Sequence, residues 1–270
     1  MSLRKLYYSF PPNLRLTIRK LVFGITDLFH QEKYDNGLPV PPRSLIYTGG
    51  GDFKETGNRF VSYFKAHGLE KEDRVLDIGS GIGRMALPLT MFLDGKYVGL
   101  DIMHQGVDWC NEHISDKYPN FRFIYLDLKN DLYRMTGENA ATLKFPLPES
   151  NFNFSFLISV FTHMQPAEVE QYLKEIHRCL TPGGKCFATF FIYESEETLA
   201  KNHFEPFIVQ DEDHALMDEK VKAANVAYHF SYLKKLFQEI GFELKHYSKG
   251  KWKDDKSEED FQDFVVLEKI

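Results

Sequence analysis

The amino-acid sequence predicts an α/β protein on a doubly wound, seven-stranded, mostly parallel sheet with helices on both faces. Three observations carry that expectation. From Asp73 onward strand-like and helix-like segments alternate, which is the pattern of a parallel sheet with helical crossovers. The first strand-like run stops at Gly79, Gly81 and Gly83, a composition suited to a tight turn that opens a helix. The last two strand-like runs flank a polar loop rich in Lys and Glu, which suits an antiparallel pair closing one sheet edge.

Residues 1–53 precede the alternating pattern and form an N-terminal helical extension with a glycine-rich loop. Leu14, Ile18, Leu21, Val22, Ile25 and Phe29 make an apolar helical stripe, with Arg15, Arg19 and Lys20 on other surfaces. The segment reads as an appended helix packed on the domain or on a second subunit. The alternative is an interfacial helix touching an anionic membrane, because Arg4, Lys5, Arg15, Arg19 and Lys20 face only Asp27 among acids. Tyr47-Thr48-Gly49-Gly50-Gly51-Asp52-Phe53 is too glycine-rich for mere linkage; it either folds over a ligand or serves as a hinge.

Residues 54–270 read as one domain. Strands are expected at 74–78, 96–101, 121–126, 152–160 and 185–192, with helices at 85–93, 105–117 and 167–180. In the last helix Val169, Tyr172, Leu173, Ile176 and Leu180 form one face, Pro166 suits its first position, and Thr181-Pro182-Gly183-Gly184 ends it. Residues 193–228 depart from the pattern: acidic at 194–197 and 211–213, they also carry His203, Phe204, Phe207, His214 and Tyr228. They follow the fifth strand, on the ligand-binding side of such sheets, and read as a substrate cap or a solvated insertion. A helix at 232–240, stopped by Gly241, and strands at 242–247 and 264–267 complete the chain.

The 270 residues allow one domain of roughly 200 residues with additions, or two small ones. Aromatic content of 15% points to a thick core or an aromatic-lined pocket, with the core as the main destination. A net charge of -6 argues against nucleic-acid binding, which needs a basic surface. Cys110, Cys179 and Cys186 lack metal-ligand spacing and read as buried apolar residues in a reducing compartment. No metal site is expected. The apolar run at 21–25 is too short for a signal or a membrane span, so the expected location is cytoplasmic.

Chemistry concentrates at Val75-Leu76-Asp77-Ile78-Gly79-Ser80-Gly81-Ile82-Gly83-Arg84-Met85. A dinucleotide fingerprint would need its third glycine where Arg84 stands, and a phosphate-gripping loop would need Gly-Lys-Ser/Thr. A carboxylate at Asp77 inside a buried strand is costly without a partner. Asp77-x-Gly79-x-Gly81-x-Gly83 resembles motif I of the class I S-adenosylmethionine-dependent methyltransferases. The antiparallel closing pair and the Thr-Pro-Gly-Gly turn extend the resemblance from about Lys54 to the C-terminus. It implies that Asp77, Gly79, Ser80, Gly81 and Gly83 pass under the amino-acid part of the cofactor.

Asp101, ending the second strand, can accept hydrogen bonds from both ribose hydroxyls, and would serve a nicotinamide nucleotide equally. Asp127, ending the third, can accept from the adenine amine, as this position often does in the family, with Ile102 and Leu128 sandwiching the ring. Ser159-Val160-Phe161-Thr162-His163-Met164 looks like a segment of methyltransferases acting on small molecules, including some found with sugar-modifying enzymes. The likeness places Ser159 and Val160 beside the methionine part.

The resulting expectation is S-adenosylmethionine-dependent methyl transfer to a small-molecule acceptor, a hydroxyl by preference, through in-line displacement. His163 is the first candidate for a general base, its other reading being a structural histidine at the next helix N-terminus; His203 and His214 are alternatives. The rivals are a non-catalytic cofactor-binding or scaffold protein and a nicotinamide-dependent oxidoreductase, the latter disfavoured by Arg84 and Asp77. The acidic balance, with no Asn/Asp-Pro-Pro-Tyr motif, disfavours protein and nucleic-acid substrates.

Overall fold

The computed structural model describes residues 12–27, 32–47, 49–133, 136–200, 202, 206–253 and 260–270. Arg4, Lys5, Phe29, Thr48, His203 and Phe204, and the side chain of Arg15, lie outside what is described.

The chain forms two compact units: Met1–Glu72 with Ser80–Leu126, and Asp73–Gly79 with Asp127–Ile270. In the second, β1 (Val75–Ile78) is fully buried along its length. The first contains β2 (Tyr97–Asp101) and β3 (Phe121–Tyr125), parallel and in register from Tyr97 opposite Phe121 to Asp101 opposite Tyr125. The Tyr97 and Phe121 rings stack at 4.7 Å. Helix α1 (Pro12–Asp27) and α2 (Phe53–Ala66) precede them. Asp52 caps α2 by accepting from the Glu55 N–H at 2.8 Å, and Phe60, Val61 and Phe64 bury its apolar face.

The helix expected at 85–93 shortens to α3 (Ala86–Leu89). Pro88 brings no N–H, and the Thr90 hydroxyl turns back to the Leu87 carbonyl at 2.6 Å. The helix expected at 105–117 is α4 (His104–Cys110), continued by a π-turn at Asn111–Ser115. There the Asn111 amide is committed to both backbone groups of Phe123.

In the second unit β1 runs parallel to β4 (Phe152–Leu157), which runs parallel to β5 (Leu180–Phe190). Helix α5 (Pro166–Cys179) connects them, and the Glu168 carboxylate accepts from the Gln165 N–H at 2.6 Å. Strand β4 ends three residues short of expectation, because Ser159 takes φ +58° and turns the chain out of the sheet. Strand β5 begins five residues early. Leu180 is already extended and pairs with Phe152, the Thr181 hydroxyl reaches the Phe152 carbonyl, and the Thr-Pro-Gly-Gly turn becomes the irregular start of a strand.

A small second sheet follows: β6 (Ile192–Tyr193), β7 (Ile208–Val209), β8 (His214–Leu216) and β9 (Val226–His229), in the order β6-β9-β8-β7, with the short α6 (Glu196–Ala200) between β6 and β7. Residues 193–228, expected as a cap or a solvated helical insertion, carry these short strands and α6 among their described residues. The core of the second sheet holds Phe191, Tyr193, Leu199, Ala215, Ala227 and Trp252. Helix α7 (Phe230–Ile240) ends at Gly241 in the left-handed region, φ +101°. β10 (Phe242–Ser248) and β11 (Asp263–Lys269) close the edge antiparallel to each other, with β11 antiparallel to β5. The main sheet order is β10-β11-β5-β4-β1-β2-β3, the seven-stranded, mostly parallel arrangement expected.

Rings of Phe161 and Phe190, and of Phe187 and Phe264, stack at 4.8 and 4.7 Å, so much of the aromatic content is core. Cys110, Cys179 and Cys186 are buried free thiols. Of the apolar stripe in α1, Leu14, Leu21, Val22 and Ile25 are exposed and Ile18 is half-buried.

Candidate functional site

In the first unit the turn after β1 is organised by one carboxylate. Asp101, at the end of β2, is almost fully buried. Its Oδ2 accepts the Gly81 N–H at 2.7 Å, and its Oδ1 accepts the Met103 N–H at 2.7 Å and the Tyr47 hydroxyl at 3.2 Å. Burial raises the Asp101 pKa, opposed by these donors and the Ile102 N–H. Gly81 sits at φ +57° and Gly83 at φ +80°. Gly106 lets α4 begin against the turn, since a Cβ there would run into the Gly81 carbonyl and the Tyr47 hydroxyl. Ile102 is half-buried.

Two buried polar atoms of the same unit, Ser80 Oγ on the motif I turn and Gln105 Oε1 in α4, have no hydrogen-bond partner. Orphaned buried polar atoms are rare and call for an explanation. A polar ligand with hydroxyl and amino groups fits them.

Arg84, whose side chain only excluded a fingerprint in the sequence, has a structural task. Its Nη1 and Nη2 donate to the Gly50 and Gly49 carbonyls at 3.1 and 3.4 Å, and its guanidinium lies 5.1 Å from the Phe53 ring centroid. Burial lowers its pKa. With Tyr47 on Asp101, the described part of the glycine-rich loop is fastened to motif I.

The second unit contributes Asp77, Gly79, Asp127, Leu128, Ser159 and Val160. Asp77 is buried opposite Phe156. Gly79 has φ +79°, and a Cβ there would overlap Val160 Cγ2. Ser159 is a non-glycine residue in the left-handed region, a conformation that must be held by its surroundings. Its N–H donates to Thr189 Oγ1 at 2.8 Å and its hydroxyl bonds to Gln262 Oε1 at 3.0 Å. The Asp127 residue is exposed, while Leu128 is buried in its own unit and bridges to Glu138.

His163 follows on a short 3-10 turn, Phe161–His163. Its Nδ1 lies 2.8 Å from the Ala223 carbonyl. A carbonyl only accepts, so Nδ1 carries the proton and Nε2 is the basic nitrogen of the neutral ring. The same contact ties the residues before β9 to the exit of β4. Asp131 adds to it by accepting from the Lys222 and Ala223 N–H groups at 3.0 and 3.1 Å, and the Tyr228 hydroxyl donates to the Met164 carbonyl. His214 is paired with Asp211 at 2.8 Å instead. Asp131, Gln105, Thr189 and Gln262 were not singled out in the sequence. The contacts of Asp131, Thr189 and Gln262 run to backbone groups or to distant residues, which leave no local pattern. Among the described residues no cluster of three His, Cys, Asp or Glu side chains is placed to hold a metal.

Residues 76–188 match a family model described as a methyltransferase domain. Over that stretch the chain is similar to methyltransferase domains. Solved S-adenosylmethionine-dependent methyltransferases share its fold, among them one from Methanosarcina mazei at TM-score 0.52 and 20% identity over 77% of this chain and 97% of that one. The chain is 25% identical over 202 residues to the sterol 24-C-methyltransferase erg-4 of Neurospora crassa, covering 74% of this chain and 48% of that protein. The chain thus spans about half the length of that relative. In fold it resembles the PH0226 protein of Pyrococcus horikoshii OT3, at TM-score 0.59 and 17% identity over 84% of this chain and 95% of that one. It also resembles the magnesium protoporphyrin IX methyltransferase of Synechocystis PCC 6803, solved with S-adenosylmethionine bound. That match has TM-score 0.51 and 12% identity over 83% and 88% of the two chains.

Proposed function

We propose that this chain transfers the methyl group of S-adenosylmethionine to a small-molecule acceptor, with residues 54–270 as the catalytic domain and 193–228 as its acceptor cap. The observation that carries the reading is the Asp101 carboxylate, buried and fixed by the motif I backbone, in the unit that also holds the orphaned Ser80 and Gln105 oxygens. Asp77, Gly79, Ser80, Gly81 and Gly83 hold the amino-acid part, and Asp101 accepts from the ribose, its Oδ2 keeping an acceptor site beyond Gly81. Ile102, Asp127 and Leu128 serve the adenine, and Ser159 and Val160 the methionine side.

When bound, the cofactor supplies an electrophilic methyl on a sulfonium, and the sulfur keeps the electron pair as the methyl leaves. The protein's tasks are to align the acceptor, exclude water and take one proton. We assign the acceptor atom to carbon on the kinship with a sterol 24-C-methyltransferase, in place of the hydroxyl oxygen expected from sequence. An alkene carbon that gains a methyl must afterwards lose a proton, and a hydroxyl must lose one as it reacts, so both need a base. His163 Nε2 is the group proposed for it.

Equilibrium binding of labelled S-adenosylmethionine tests the cofactor site: Asp101→Ala and Gly81→Val should abolish saturable binding in proteins whose circular dichroism is unchanged. Undiminished binding by a folded Gly81→Val protein overturns the assignment. Turnover with sterol alkenes and with hydroxylated acceptors, followed by NMR of the transferred methyl, separates a C–CH3 from an O–CH3 product.

A further inference from the structure

We propose that α1 is a membrane-docking helix that lies on anionic bilayers with its apolar stripe among the lipid chains. Leu14, Leu21, Val22 and Ile25 are 43, 76, 62 and 73% exposed. At 100° per residue they share a stripe about 100° wide on one side of the helix. Soluble surfaces scatter such residues singly; a row of them marks an interaction site.

The other side of the helix is already committed to its own chain. Arg19 Nε donates to the Arg43 carbonyl at 3.1 Å, and Asp27 accepts from the Arg43 and Ser44 N–H groups at 2.9 and 3.0 Å. These contacts fasten the helix and leave the apolar stripe outward.

Charge selects the occupant. Residues 1–27 contain five cations (Arg4, Lys5, Arg15, Arg19 and Lys20) and one acid, Asp27, in a chain of net charge -6. Both oxygens of that acid are occupied by backbone donors. An apolar stripe with cationic neighbours and no exposed acid of its own complements an anionic lipid surface. A second copy docked on the same stripe would bring like charges together instead. At 16 residues α1 is about 24 Å long, and no helix among the described residues is long and apolar enough to cross a membrane. The helix therefore lies in the interface plane.

The test is co-sedimentation of the full chain with vesicles of phosphatidylcholine alone and of phosphatidylcholine mixed with phosphatidylserine. Binding to the mixed vesicles, weakened by salt and reduced about tenfold or more in the double variant Leu21→Asp, Ile25→Asp, is expected. S-adenosylmethionine binding by that variant should stay at the parent value, which shows the fold intact and separates this test from that of the cofactor site. No sedimentation with the mixed vesicles overturns the proposal, as does equal sedimentation of parent and variant. So does a dimer, seen by analytical ultracentrifugation, that the variant dissolves, because the stripe then belongs to a second copy.

Discussion

The hydroxyl of Tyr47 donates to Oδ1 of Asp101 across 3.2 Å, joining the loop before α2 to the carboxylate at the end of β2. Burial raises the Asp101 pKa and the Tyr47 contact opposes the rise. On the proposed reading Asp101 accepts from the ribose hydroxyls, which bond more strongly to an ionised carboxylate, so cofactor affinity should fall as Asp101 takes up a proton in acid. Tyr47→Phe removes one donor from the ionised form, and the acid limb of the affinity profile should move to higher pH. Affinity well above that limb should change little. Calorimetric titration of cofactor across pH reads both effects.

Arg84 holds two loop carbonyls, and its removal should free the loop rather than unfold the domain. Arg84→Met keeps much of the apolar stem while losing both donors. The expected cost is about 1–3 kcal/mol for hydrogen bonds from a charged donor, with faster tryptic cleavage near Arg43 and Lys54. Limited proteolysis followed by mass spectrometry locates the cuts; an unchanged cleavage rate refutes the anchoring role.

Gly79→Ala combines a left-handed φ with an overlap on Val160. The backbone part alone should lower stability by about 1–3 kcal/mol, read as a lower Tm. Pairing it with Val160→Ala should recover the overlap part and leave the backbone part.

Burial pushes the Cys179 thiol up to about 11 and the Cys186 thiol up to about 12 from an ordinary 9.0. The folded state therefore holds these protons more tightly than the unfolded chain. Their contribution is fully present below about pH 9 and is lost as pH rises toward the folded values. Denaturant midpoints should decline across that alkaline window, and Cys186→Ala should flatten the decline while lowering stability below about pH 9.

His163 and Asp131 both reach the residues before β9, but only His163 offers a basic nitrogen. Asp131→Ala should raise the acceptor KM with kcat largely kept. His163→Ala should lower kcat by about 10²–10⁴-fold, and a pH-rate profile that keeps its acid limb in that variant would remove His163 from the proton transfer.

The alternating pattern from Asp73 and the hydrophobic periodicity of α5 made the parallel sheet legible, because both report burial of one face directly. The glycines of motif I were legible for the same local reason: Gly79 stands where no side chain fits. What stayed hidden depends on distant partners. Nothing near Ser159 announces that it would leave the sheet at φ +58°, since Thr189 and Gln262 hold it from 30 and 103 residues away. The Thr-Pro-Gly-Gly segment read as a helix stop by local chemistry, yet pairing with Phe152 drew it into β5. Arg84 was read only for the glycine it is not, since its acceptors are backbone carbonyls that no residue type encodes.

Ser159 and His163 stand four residues apart in one short stretch after β4, the first fastened to β5 and the β11 approach, the second to the residues before β9. A stretch this short couples its two anchor points, so on the proposed reading a donor seated against Ser159 shifts the backbone that His163 holds at the Ala223 carbonyl. Substrates should then add in a compulsory order, donor first, and the demethylated donor should leave last. In steady-state terms, the spent donor will compete with S-adenosylmethionine and act noncompetitively toward the acceptor.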